Sequence, residues 1–122
     1  MNITGFDPLT AGVQAALDLR HQQHVLTSSN LANVDTPGYL AKQISFESLL
    51  ADAVDSAERG FRSGPAEVET LDAPPGTLNG NSVSPEREVV RLTENSLVYN
   101  ALTTGLSQHL GMLRFAASNG RS

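Results

Sequence analysis

The chain is 122 residues long, enough for one domain with a lean core, because aromatic residues make up only 5% and tryptophan is absent. A formal net charge of −5 leaves no basic stripe to displace counterions from phosphates, which excludes nucleic acid as a main partner. Cysteine is absent, which excludes disulfides and thiolate chemistry, and no apolar run reaches the ~18 residues needed for direct membrane insertion.

Met1 to Asp7 lacks the basic-then-apolar pattern of a cleavable signal peptide. Asp7 is the expected N-cap of a first helix, and Pro8 suits the first helical position because its missing N–H would be unpaired there anyway. The helix is expected to run to Val34. Val13, Leu17, Leu31 and Val34 mark an apolar seam, with Arg20, His24 and Thr27 at the intervening seam positions. That seam is too weak in its middle for the helix to stand alone.

Three devices stop the helix. Thr36 precedes Pro37, and the proline ring pushes it out of the helical region. Pro37 and Gly38 then offer a fixed φ followed by a residue free to take positive φ, as a type II turn requires. Asn30, Asn33 and Asp35 can each bond nearby backbone, which favours leaving a helix. Tyr39 follows directly.

The connector is Pro/Gly-rich and less regular. Tyr39 to Ile44 can be extended. Phe46, Leu49, Leu50, Ala53, Val54 and Ala57 form the stripe of a short amphipathic helix, with Ser45 as cap and Gly60 as stop. Arg59 to Ser84 cannot bury enough apolar surface to fold independently. Turns are expected at Ala73–Gly76 and Asn79–Asn81, with a short hairpin possible between them.

The last helix starts at Pro85 behind the N-cap Ser84, with Glu86 and Glu88 near the positive end of its dipole. Val89, Leu92, Tyr99, Leu102, Leu106, Leu110 and Leu113 keep a three-to-four spacing as its seam. Asn95 and Tyr99 share one face. Two readings stay open for them: a polar break within the helix pair, or contacts with neighbouring subunits. Gly105 and Gly111 inside this helix mean either loosening or close approach of a neighbour. The fold class is therefore mainly α, with two long terminal helices paired as a coiled-coil-like hairpin across the connector. Residues 1–35, 36–84 and 85–122 form the three segments of one domain.

His21, His24 and His109 are a conceivable metal set, but no carboxylate stands at a ligand spacing to them. No nucleophile elbow or phosphate-binding loop is present, and Glu47, Glu58, Glu67 and Glu69 lie on surface or connector. No catalytic residue, cofactor or metal is expected.

The segment Ser29-Asn30-Leu31-Ala32-Asn33-Val34-Asp35-Thr36-Pro37-Gly38-Tyr39 resembles the N-terminal signature of the bacterial flagellar rod, hook and hook-associated axial proteins. Its continuation Leu40 to Glu47, the later stretch Asn79 to Val83, then Glu88, Asn95 and Tyr99, are similar to the proximal rod members. Ser82, Ser84, Val89 and Leu92 depart from their pattern conservatively. The resemblance implies a structural protein of the basal-body rod, exported without a cleavable signal, assembling helically in the periplasm and transmitting torque. Its implied partners are copies of itself, other rod proteins, and the flagellar export gate with its adaptor. A neighbouring rod protein of the same family and a small soluble helical-hairpin adaptor are the alternatives.

Overall fold

A computed structural model describes residues 8–46, 48–49 and 66–120. The chain is mainly helical: α1 spans Pro8–Ala32, β1 Lys42–Ile44, β2 Val68–Thr70 and α2 Pro85–Asn119. Among the described residues, no helix is long and apolar enough to cross a membrane. The expected caps at Asp7 and stop at Gly60 lie outside the described residues, as does most of the stripe from Phe46 to Ala57. Phe46, Ser48 and Leu49 are helical, and the Ser45 hydroxyl accepts from the Ser48 N–H at 3.4 Å, as a cap does.

α1 ends at Ala32, two residues before Val34. There the Asn33 N–H reaches both Ser29 and Asn30 carbonyls, and the Val34 N–H bonds Leu31 at 3.3 Å, so the last turn tightens before the chain leaves. The reversal that follows is a type II turn. Tyr39 N–H donates to the Thr36 carbonyl at 3.2 Å, and Gly38 takes φ +74°. A second turn closes between Pro74 and Thr77 around Gly76, which has φ +89°.

No strand occurs between residues 71 and 84, so the hairpin entertained there does not form. Leu78 is fully exposed, and the segment lacks the alternation that would fix a register. The strand partner instead comes from farther back: β1 and β2 pair antiparallel, with Lys42 opposite Thr70, Gln43 opposite Glu69 and Ile44 opposite Val68. Gln43 also bonds Glu69 through its side chain.

α1 and α2 pack against each other antiparallel: Asn30 meets Glu88, and farther down the pair the Arg20 carbonyl meets Asn95. Ser84 caps α2, accepting from the Arg87 N–H, and Pro85 occupies its start. The interior is polar. Among the described residues the only buried hydrophobic side chains are Ala41 and Ile44, whereas Thr10, Gln23, Thr27, Asn30, Asn81, Glu88 and Asn95 are all buried. Leu17, Leu31, Leu92, Leu102, Leu106 and Leu113 are half-buried, and Tyr99 and Leu110 are exposed. Among the described residues, a Cβ added at Gly105 or Gly111 would meet nothing within 4 Å, so neither glycine is there to seat a close neighbour from these parts of the chain.

Candidate assembly site at the helix exit

The motif that ends α1 is held by side chains from three distant parts of the chain. Asn30 is its centre and is fully buried. Its Nδ2 donates to the Lys42 carbonyl at 2.8 Å and to Glu88 Oε2 at 3.1 Å. Its Oδ1 accepts from the Lys42 N–H at 2.9 Å and from the Tyr39 hydroxyl at 3.3 Å. All four bonding positions of the carboxamide are filled. Towards Lys42 the side chain behaves as a neighbouring strand would, giving and taking one bond each.

Gln23, two turns earlier on α1, does the same work for Ile44. Its Oε1 accepts from the Ile44 N–H at 2.9 Å, while its Nε2 donates to Thr27 at 3.0 Å. Thus β1 pairs with β2 on one edge, and carboxamides of α1 close the other. An open strand edge is a template for unwanted pairing, and here it is covered.

Asn81 locks the exit from the opposite side. Its Nδ2 lies 2.9 Å from the Asn33 carbonyl, 3.0 Å from that of Val34 and 2.8 Å from that of Thr36. Two protons serve three acceptors, so one bond is shared. Its Oδ1 accepts from the Val83 N–H at 2.7 Å. Gly38 N–H donates to the Asn79 carbonyl at 2.7 Å, Ser82 N–H to the Tyr39 carbonyl at 3.0 Å, and Ala41 N–H to the Ser82 hydroxyl at 2.7 Å. Orphan carbonyls at the end of α1 are therefore satisfied by a segment almost fifty residues away.

Glu88 completes the set. Only 1% of its side chain is exposed, and besides Asn30 it binds Arg91 Nη1 at 3.1 Å. A buried carboxylate with each oxygen engaged by a donor of the fold is a structural anchor.

The other expected site residues fall around this latch. Asn33 donates to the Ser29 carbonyl at 2.8 Å and accepts from the Thr36 hydroxyl at 3.1 Å. Asp35 and Pro37 are exposed. Asn95 is buried between the helices and donates to the Arg20 carbonyl at 2.7 Å, while its Oδ1 has no partner among the described residues. Arg20 stacks over Phe46, 4.6 Å from the ring centroid, in a cleft of about 380 Å³ shared with Glu69, Arg91 and Glu94. His21 and His24 are exposed beside Tyr99, and the described residues hold no group of three or more His, Cys, Asp or Glu able to bind a metal.

Gln23, Asn81, Ser82 and Glu88 were not singled out by sequence as latch residues. Glu88 carried a signal: it stands seven residues before Asn95 and so shares its inward face. Asn81 stood out only as a turn residue and within the stretch that carries the family resemblance, and nothing there names its partners, which are distant in sequence.

The Flagella basal body rod protein family matches residues 9–39, the stretch that builds α1 and the turn. Relatives include the "Flagellar basal body rod protein FlgB" of Yersinia enterocolitica, 33% identical over 82% of this chain and 87% of the relative. Those of Salmonella typhimurium and Cereibacter sphaeroides are 36% and 35% identical, the latter over 93% of this chain and 97% of its own length.

Proposed function

The chain belongs to the FlgB family of flagellar basal body rod proteins, and we propose that it enters the rod by packing its terminal helices, coiled-coil fashion, against those of neighbouring subunits. Its role is structural: it is a component of the proximal rod and not an enzyme. In this reading the subunits repeat helically and transmit torque in the periplasm, after export without a cleavable signal. Partners at the base are the export gate and its adaptor. The motif residues Asn30, Asn33, Asp35, Thr36, Pro37, Gly38 and Tyr39 set where the chain leaves the helical wall. The seam residues Leu17, Leu31, Leu92, Asn95, Tyr99, Leu102, Leu106, Leu110 and Leu113 serve the helix pairing.

One observation supports this packing above the rest. At about 100° per residue, Glu88, Asn95, Leu102, Leu106 and Leu113 share the α2 face turned to α1. Val90, Leu97, Met112 and Phe115 are spread along the opposite side of the helix, and they are 55%, 65%, 65% and 67% exposed. A second row of apolar side chains left largely exposed is what a subunit in a non-closing assembly presents to the next. A soluble adaptor with one partner has no need of large apolar groups on both faces of one helix.

Leu97→Asp tests the proposal. Because Leu97 is outside the fold, the variant's monomer stability should change by no more than about 0.5 kcal/mol. Swimming should nevertheless be lost, with rods failing to assemble. Normal motility in that strain would remove the stripe from the assembly.

A further inference from the structure

We propose that Asn79 is a site of spontaneous deamidation in the folded protein, and that the fold protects the chain's other Asn-Gly pair, Asn119-Gly120, from the same reaction. By sequence alone the two pairs are equivalent, since in each the residue after asparagine has no Cβ to hinder approach to the side chain. The structure separates them.

The reaction begins when a base removes the proton from the following peptide nitrogen, which then attacks the asparagine Cγ. The new N–Cγ bond forms, the Cγ–Nδ2 bond breaks, and ammonia departs with the proton. Water then opens the resulting succinimide at either carbonyl, leaving aspartate or isoaspartate. Three features of Asn79 favour these steps. It is exposed, so water and base reach it and ammonia can leave. The Gly80 N–H makes no hydrogen bond among the described residues, so no bond is lost on removing its proton. The Asn79 Oδ1 accepts from the Asn81 N–H at 3.1 Å, which places a donor on the oxygen that becomes negative when Cγ is attacked.

Asn119 is exposed as well, but the peptide nitrogen that follows it is not free. It is the last residue of α2, and the Gly120 N–H is engaged by the Ala116 carbonyl at 3.2 Å and by that of Ser118. That nitrogen must give up its bonds before it can attack.

The product bears on the latch. In isoaspartate the main chain runs through Cγ, and the former main-chain carbonyl becomes a free carboxylate. That carbonyl is the acceptor for Gly38 at 2.7 Å, beside the three carbonyls gathered by Asn81. Chain ageing at Asn79 therefore loosens the helix exit.

The experiment incubates the full chain at mildly alkaline pH, folded and in parallel in concentrated urea, with tryptic mass mapping over time. Trypsin places Asn79 in the peptide ending at Arg87 and Asn119 in the peptide ending at Arg121, so the two are read separately. In the folded chain Asn79 should convert about tenfold faster than Asn119, or more. In urea the two rates should become indistinguishable. Equal or reversed rates in the folded chain would overturn the proposal. So would a difference that persists unchanged in urea, because it would then belong to the local sequence and not to the fold.

Discussion

Asn30→Asp is expected to destabilise the free protein by about 3–5 kcal/mol, the scale of leaving a buried charge without a partner. The change is nearly isosteric, yet it removes both donors from the centre of the latch. A carboxylate would then face Glu88 Oε2 across 3.1 Å and the Lys42 carbonyl across 2.8 Å. Urea unfolding followed by helical circular dichroism measures the loss. Adding Glu88→Gln should recover part of it, since the new amide can donate to Asp at 30 and one of the two like charges is gone. The cycle of single and double variants should therefore show coupling of about 0.5–3 kcal/mol. Simple additivity would mean that the two side chains do not act together.

Asn81→Ala should cost about 2–3 kcal/mol, less than the number of its bonds suggests. The Asn33, Val34 and Thr36 carbonyls lie near enough to solvent for water to replace part of what is lost. Asn81→Asp is the sharper comparison. It keeps the acceptor for Val83 but turns a carboxylate toward three carbonyl oxygens, so it should be worse than alanine. If aspartate were tolerated as well as asparagine, Asn81 would not be donating to the exit.

These two residues also show where sequence reasoning reached and where it stopped. The type II turn was legible because every part of it is local: Thr36, Pro37, Gly38 and Tyr39 are consecutive, and Gly38 takes the positive φ only glycine adopts freely. The start of α2 was legible for the same reason, since Ser84 and Pro85 announce it. Asn30 was marked as a helix breaker, but its bonds run to Lys42, Tyr39 and Glu88, and nothing near it in sequence names them. β2 left no trace because Val68, Glu69 and Thr70 are all exposed, and pairing with β1 alone makes them a strand.

Hydrophobic periodicity located both long helices but not what lies between them. Apolar spacing on α1 pointed to Leu17 and Leu31, whereas the positions that become buried are Thr10, Gln23, Thr27 and Asn30, of which only Thr27 stands on the expected seam. A pattern search for apolar residues passes over an interface built from carboxamides. On α2 the leucine stripe and the stripe of Val90, Leu97, Met112 and Phe115 coexist, and only packing reveals which one α1 uses. The division bears on the proposed function: the polar contacts fix the subunit's own geometry, and in the proposed assembly the exposed apolar surface meets neighbouring subunits.

Native-state hydrogen exchange on the free protein tests the latch most directly. Besides the Asn81 amide, which bonds the Asn79 side chain, four backbone amides outside the helices donate to side chains among the described residues: Ala41 to Ser82, Lys42 to Asn30, Ile44 to Gln23, and Val83 to Asn81. If the helix exit is locked by these groups, all four amides are protected and open together with the middle of α2, as one cooperative unit. Exchange of these four at the rate of an unfolded chain, while α1 and α2 stay protected, would show that the exit is not held by its carboxamides.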